Sequence, residues 1–374
     1  MSTVKDLEQL VQSDSKVKEA SEIITKEGMA SFAEKAAEKL DRRSFFKWVG
    51  LVTPGLAVAG GSLTFLGKAV AAEPSKAKFR GAYSAIGMQI LWVNQGAETL
   101  KALGEILGFQ VDVLDGRNQV STQRQQVEQL VARAKEYNAV FIHPSAIGAF
   151  TEPVKELIAR KIPVYDIDTK LVEDLNSLDI ASFSEPDNEF MGGVVTEALC
   201  KKIGFKGNIV HTQGRLTHTG AQGRTRGFQK TVKKYPNIKV IDETPGDWDG
   251  AKVQQIWRDL LVKFDKIDAG FFDNDDMALA AYSAIRAAGR ENQVVLGGVD
   301  STAPALEEMK KGHLEYSVFN PASRVHGFAL WAAYYQLVKK EKPPKFIRCD
   351  GPFTTRDNLT DVESYIWLSK HYLL

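Results

Sequence analysis

Short apolar runs rich in β-branched and aromatic residues recur along the chain from residue 79, each followed by a longer segment of helical period. The runs cover residues 79–83, 111–114, 139–143, 163–167, 208–212, 239–241, 269–272 and 294–298. Between them, sets such as Gln123, Val127, Leu130, Val131, Ala134 and Met277, Ala280, Ala281, Ala284, Ile285, Ala288 repeat at three- and four-residue steps, as one face of a helix does. Alternating strand and helix requires parallel sheets covered on both faces. The series runs about four units, breaks at the polar, turn-rich Ser182-Phe183-Ser184-Glu185-Pro186-Asp187-Asn188, and then runs again. The expected fold is α/β: two similar doubly wound parallel-sheet lobes joined by a hinge. Ligands of such sheets bind beyond the carboxyl ends of the strands, which directs attention to the cleft between the lobes.

The first 72 residues break this pattern. Asp41-Arg42-Arg43-Ser44-Phe45-Phe46-Lys47 is followed by an uncharged stretch, residues 48–67, and then by Ala69-Val70-Ala71-Ala72. This reads as a twin-arginine export signal, removed at the small residues near 72, and it places the mature chain in the periplasm with the twin-arginine export machinery as a partner. A permanent anchor is the competing reading, since about 20 residues span a bilayer. Gly50, Gly55, Gly60, Gly61, Gly67 and Pro54 make the stretch weakly apolar and poorly helical, which favours cleavage. An exported chain works where ATP and NADH are absent.

Composition narrows the class further. The 48 basic and 47 acidic residues of the whole chain become 38 of each once the leader is removed. Balanced charge gives no electrostatic hold on nucleic acid or an anionic membrane. Cys200 and Cys349 either pair or remain free thiols, and two cysteines build no metal or redox motif. His143, His211 and His218 have no standard zinc or iron spacing, so hydrogen-bonded loop histidines are expected and no metal. No glycine loop has phosphate-cradling spacing, and no nucleophile elbow is present.

Candidate chemistry sits at the strand ends. Asp168 follows Ile162-Pro163-Val164-Tyr165-Asp166-Ile167, Asn274 follows Phe271-Phe272-Asp273, and Asp300 follows Leu296-Gly297-Gly298-Val299. Singly each is most simply a cap or turn former, and Asp275 is the natural cap of its own segment. Three together suit a polyol, because carboxylates and amides accept from and donate to vicinal hydroxyls.

Asp247-Trp248-Asp249, Asn274-Asp275-Asp276-Met277-Ala278-Leu279, Gly298-Val299-Asp300-Ser301-Thr302-Ala303 and Arg224-Thr225-Arg226-Gly227-Phe228 occur in an order that resembles a known family. The chain is similar over residues 78–345 to the periplasmic sugar-binding proteins of the ribose-binding type, which serve ABC importers. The resemblance implies a first lobe of residues 73–182 plus 321–345 and a second of 183–320 plus 346–374. It implies Asp168 as a first-lobe acceptor for sugar hydroxyls, with Gln126 a weaker candidate. In the second lobe it implies Arg224 as a fork-shaped donor, Asn274 as donor and acceptor, and Asp300 as a bidentate acceptor. Asn320 falls at a hinge amide that reaches the ligand, and Trp248 at a ring that stacks on the sugar's C–H face.

The chain also departs from the family. Gly87, Gln89 and Ile90 stand where an asparagine and a pair of aromatics are usual, and Thr169 replaces an arginine. Gln89 remains a candidate contact, and Trp92, two residues past Ile90, either reaches the ligand or packs into the core. These losses widen the expected ligand from ribose to another monosaccharide or a linear sugar alcohol. A monomeric solute receptor without a cofactor, partnered by importer membrane subunits, is the main expectation. A receptor subunit for a membrane sensor and an exported polyol hydrolase or isomerase using Asp168 and Asp300 are the alternatives.

Overall fold

A computed structural model describes residues 78–363, and the leader expected over residues 1–72 lies outside them. In chain order the strands are β1 (Phe79–Ala85), β2 (Phe109–Asp115), β3 (Ala139–Ile142), β4 (Val164–Ile167), β5 (Ser182–Glu185), β6 (Gly207–Thr212), β7 (Ile238–Asp242), β8 (Ala269–Phe272), β9 (Val295–Gly297), β10 (Ser317–Val318), β11 (Phe346–Arg348) and β12 (Phe353–Thr354). The helices are α1 (Leu91–Leu107), α2 (Val120–Ala132), α3 (Thr151–Ala159), α4 (Asn188–Lys202), α5 (Thr219–Val232), α6 (Gly250–Lys263), α7 (Asp275–Ala287), α8 (Ala303–Lys311) and α9 (Ala322–Tyr334).

Strands of the first lobe form one parallel sheet in the order β11, β5, β4, β3, β1, β2. Successive residues of a strand face opposite sides. Tyr83, Phe141 and Tyr165 accordingly join one core with Val93, Leu100 and Leu330, whereas Ala82, Val140 and Val164 join the other with Val127, Leu130 and Leu157. Such two-sided burial explains why β3 and β4 read as short apolar runs. The second sheet runs β7, β6, β8, β9, all parallel, and is extended past β9 by backbone bridges to the segment that carries β10, itself antiparallel to β12. One face holds Met191, Val195, Ile209, Phe228 and Phe271, and the other holds Val210, Trp257, Phe272, Met277 and Ile285.

The expected lobe boundaries need correction at two places. Residues 183–185 and 346–348, expected in the second lobe, belong to the first, because β5 pairs with β4 and β11 pairs with β5 in the first sheet. The break read at Ser182 is therefore a strand whose polarity hides it. Phe183 is buried in the first-lobe core, and the Ser184 hydroxyl donates to the Val325 carbonyl at 2.9 Å.

Among the described residues the chain crosses between the lobes three times: after β5, after β10 and after β11. These crossings are tied to one another. The Cys349 amide donates to the Glu185 carbonyl at 3.0 Å, the Asp187 amide to Asp350 Oδ1 at 2.8 Å, and the Phe319 amide to the Pro352 carbonyl at 2.9 Å. Cys349 in this hinge and Cys200 on α4 are both buried.

Candidate functional site

The carboxyl ends of both sheets face one cavity of about 30 Å³. Its lining comes from both lobes and the hinge: Trp92, His143 and Asp168 on one side, Arg224, Trp248, Asn274 and Asp300 on the other, with Asn320 at the crossing. Ile86, Ile90 and Val93 complete an apolar wall in the first lobe.

Several of these residues are held in backbone conformations that cost energy. Asp168 follows β4 at φ 61°, Trp248 lies at φ 62° and Asp300 at φ 114°. An aspartate tolerates the left-handed region, but a tryptophan there stores roughly 1–3 kcal/mol and persists only where its surroundings impose it. Here they do so from two sides. The Asn118 side-chain amide of the first lobe donates to the Asp247 carbonyl at 2.9 Å, and Gly214 lies so close under the indole that a Cβ on it would overlap the ring.

Arg224, on α5, is buried with its guanidinium fixed in place. Its Nε donates to Asn188 Oδ1 at 3.0 Å and its Nη1 to the Asp273 carbonyl, while Nη2 stands 3.9 Å from Asp300 Oδ1 and the group lies 5.9 Å from the centre of the Trp248 ring. Asp300 also accepts from Asn320 Nδ2 at 3.0 Å. Burial pushes the Asp300 carboxyl up to about 7, against the opposing pull of Arg224 and Asn320 and with Asp276 and Asp168 adding to the rise. Asp168 goes the other way. Burial favours its neutral form, but His143, His218 and Arg224 outweigh burial and hold it below the usual carboxylate range. Burial lowers His218 to about 3, against the opposing pull of Asp168.

Seven of the nine expected residues meet at the cavity: Asp168, Arg224, Trp248, Asn274, Asp300, Asn320 and Trp92. Trp92 both lines it and packs, with its indole N–H donating to the Asn320 carbonyl at 2.9 Å. Gln89 is exposed and outside the lining. Gln126 is also outside, because its amide is spent on the Asp115 carbonyl at 2.8 Å. One turn earlier Gln123 points inward and fixes the cavity floor, donating to the His143 carbonyl at 2.8 Å and accepting from the Ser145 amide at 2.9 Å. Asn274, not Asp275, caps α7, accepting from the Met277 amide at 3.0 Å. Asp275 is buried behind it with Ser317 and Thr302 as donors.

The lobes are shut on each other. Arg215 Nη2 donates to the Asn118 carbonyl at 2.6 Å and its Oδ1 at 2.7 Å, the Ile147 amide to the Thr217 carbonyl at 2.9 Å, and the Lys170 amide to Thr219 Oγ1 at 2.9 Å. Two hinged sheets that close a polar cavity between their strand ends agree with the comparison to known families: a model described as the periplasmic binding protein domain matches residues 82–342. The chain belongs to this family. The xylitol-binding protein of Mycolicibacterium smegmatis is 27% identical over 222 residues, which are 59% of this chain and 62% of that protein. The ribose import binding protein of Salmonella typhimurium is 28% identical over 212 residues, 57% of this chain and 69% of that one. A crystal structure of a galactofuranose binding protein superposes with a TM-score of 0.72 at 23% identity, covering 79% of this chain and 100% of the other.

A periplasmic binding protein is not an enzyme, so Asp168 and Asp300 are not the acid and base of a hydrolase or isomerase. What the sequence reading left out of the site is the histidine pair and the apolar wall of Ile86, Ile90 and Val93. Both histidines stand at the carboxyl end of a strand or the start of a helix, the same signal that marked Asp168 and Asn274.

Proposed function

We propose that this chain is an exported solute-binding protein that captures a monosaccharide or a sugar alcohol between its lobes and delivers it to an ABC importer. The carrying observation is that fixed donors and acceptors from both lobes converge on one small, closed cavity, so that only closure engages all of them at once. In this reading Arg224 donates to one hydroxyl, and Asp168 and Asp300 accept from others. Asn274 and Asn320 supply amides, and Trp248 offers an aromatic face to ligand C–H groups. Ile90 stands at one of the positions where the family usually has an aromatic, and with Ile86 and Val93 it makes an apolar wall beside Trp92, which suits a ring sugar or a sugar alcohol. The similarity to xylitol- and ribose-binding proteins supports both ligand classes.

A thermal-shift screen of the purified protein against pentoses, hexoses and sugar alcohols tests this reading, because a ligand of the folded state raises stability with concentration. A melting temperature indifferent to every member of the screen at millimolar concentration contradicts it. We further infer export by the twin-arginine pathway, carried by Arg42 and Arg43. Replacing both by lysine keeps the charge and should abolish periplasmic appearance of the protein. Undiminished export of that variant refutes the route and leaves the binding function untouched.

A further inference from the structure

His143, at the end of β3, and Asp168, at the end of β4, come from the first lobe, while His218 precedes α5 in the second. They meet in the cavity with their side chains 2, 4 and 5% exposed. His143 Nε2 lies 3.3 Å from His218 Nε2, and Asp168 Oδ2 lies 3.4 Å from each of them. We propose that these three atoms form a site for one divalent transition-metal cation of the zinc class, which joins the lobes and keeps a coordination position open to the cavity.

The distances fit coordination as well as long hydrogen bonds. N–H donors sit about 2.7–3.2 Å from their acceptors. All three separations are longer than that, and they are nearly equal. A tetrahedral cation with bonds of about 2.0–2.1 Å to nitrogen and oxygen has its ligand atoms about 3.3–3.4 Å apart. Without a cation, the His218 Nε2 proton is shared at long range between His143 Nε2 and Asp168 Oδ2. A cation at the centre satisfies three lone pairs at once.

The polar atoms that the cation does not take remain available to other partners. Asp168 Oδ1 and His143 Nδ1 are both buried with no hydrogen-bond partner. Oδ1 remains available to a ligand hydroxyl on the cavity side, as the Nδ1 proton of a metal-bound imidazole is to a water. The frame is rigid: Gln123 holds the His143 backbone, and the His143 ring meets Trp92 edge-on at 5.6 Å. Ligation of His218 through Nε2 puts a proton on its Nδ1, which faces the Ala221 amide at 3.4 Å. That contact is already longer than a good hydrogen bond, so giving it up costs little. Two imidazoles and one carboxylate suit Zn²⁺ and its borderline neighbours, whereas Ca²⁺ and Mg²⁺ require a shell of oxygens. The spacing 143, 168, 218 has no local signature, because the site is built from two lobes.

The full chain, stripped with EDTA and freed of chelator, would be titrated with Zn²⁺ by calorimetry and with Co²⁺ by visible absorption. The proposal expects one equivalent of each, an intense tetrahedral cobalt spectrum, and a loss of affinity of about 100-fold or more in His143→Gln and in Asp168→Asn. The absence of a saturable one-to-one site in the unaltered protein overturns it, as does binding that survives both substitutions. The first of these outcomes does not depend on the folding of a variant. Sugar titrations run in EDTA separate the two readings. Sugar binding without metal binding removes the metal site alone, and metal binding without any sugar removes the solute reading alone.

Discussion

Asp300 concentrates the electrostatic cost of the site in one residue. Its carboxyl is raised to about 7 by burial, so it is largely protonated in weak acid and ionised above neutrality. A raised folded-state value for an acid means that ionisation costs stability. The cost is absent below about pH 4, grows between about 4 and 7, and is complete above 7. The ligand-free protein should therefore lose stability across that window, and Asp300→Asn should stabilise it more at pH 8 than at pH 4. Affinity should move the opposite way. A carboxylate that accepts from two hydroxyls needs its charge, so the dissociation constant should rise as pH falls through 7, by at most tenfold per unit. Calorimetry between pH 5.5 and 8.5 measures this. Glu185, at the hinge, is also raised to about 7 by burial, and burial raises Asp275, Asp276 and Asp166 as well, so an equal pH dependence in the Asp300→Asn variant would transfer the effect from Asp300 to these acids.

The turns after the strands decide whether the site exists. Gly214, in the turn after β6, leaves the space that the Trp248 indole occupies. Gly214→Ala should expel the ring and weaken sugar binding by roughly 1–3 kcal/mol, about 10- to 100-fold, while the core keeps its packing. Unchanged affinity in that variant, or a collapse of its melting temperature, would mean that the ring belongs to the core. Much of the element pattern was legible in the sequence, because central parallel strands such as β3, β4 and β8 are buried on both faces and read as apolar runs. β5 was not, since its two serines are buried inside the first lobe, Ser184 bonded to the Val325 carbonyl, and β10, β11 and β12 are only two or three residues long. Strand-end aspartates were legible for the same reason as the strands. The Gln126 error came from a helix whose inward face is set by one turn of register, which places Gln123 and not Gln126 beneath His143. His143 and His218 became a pair only through closure of the two lobes.

At the scale of the molecule, closure is the event to be controlled. Arg215 contributes two bonds to Asn118 across the lobes yet lies outside the cavity lining. Arg215→Ala should shift the ligand-free population towards the open form. It should weaken sugar binding by about 10- to 100-fold with every pocket contact intact, a loss of about 1–3 kcal/mol. Small-angle scattering of the ligand-free variant should show a larger radius of gyration than the unaltered protein, and equal radii with equal affinities would refute a role for this clasp. The account as a whole stands on one claim: both lobes grip a single small polyol through Asp300, Arg224 and their neighbours. Calorimetric titration of the best ligand from the thermal screen, with the unaltered protein and Asp300→Ala in parallel, tests this most directly. The account predicts one saturable site in the unaltered protein and an affinity at least about 100-fold weaker in the variant, which loses charge-assisted bonds of about 1.5–3 kcal/mol each. Equal affinity in the two proteins would contradict it.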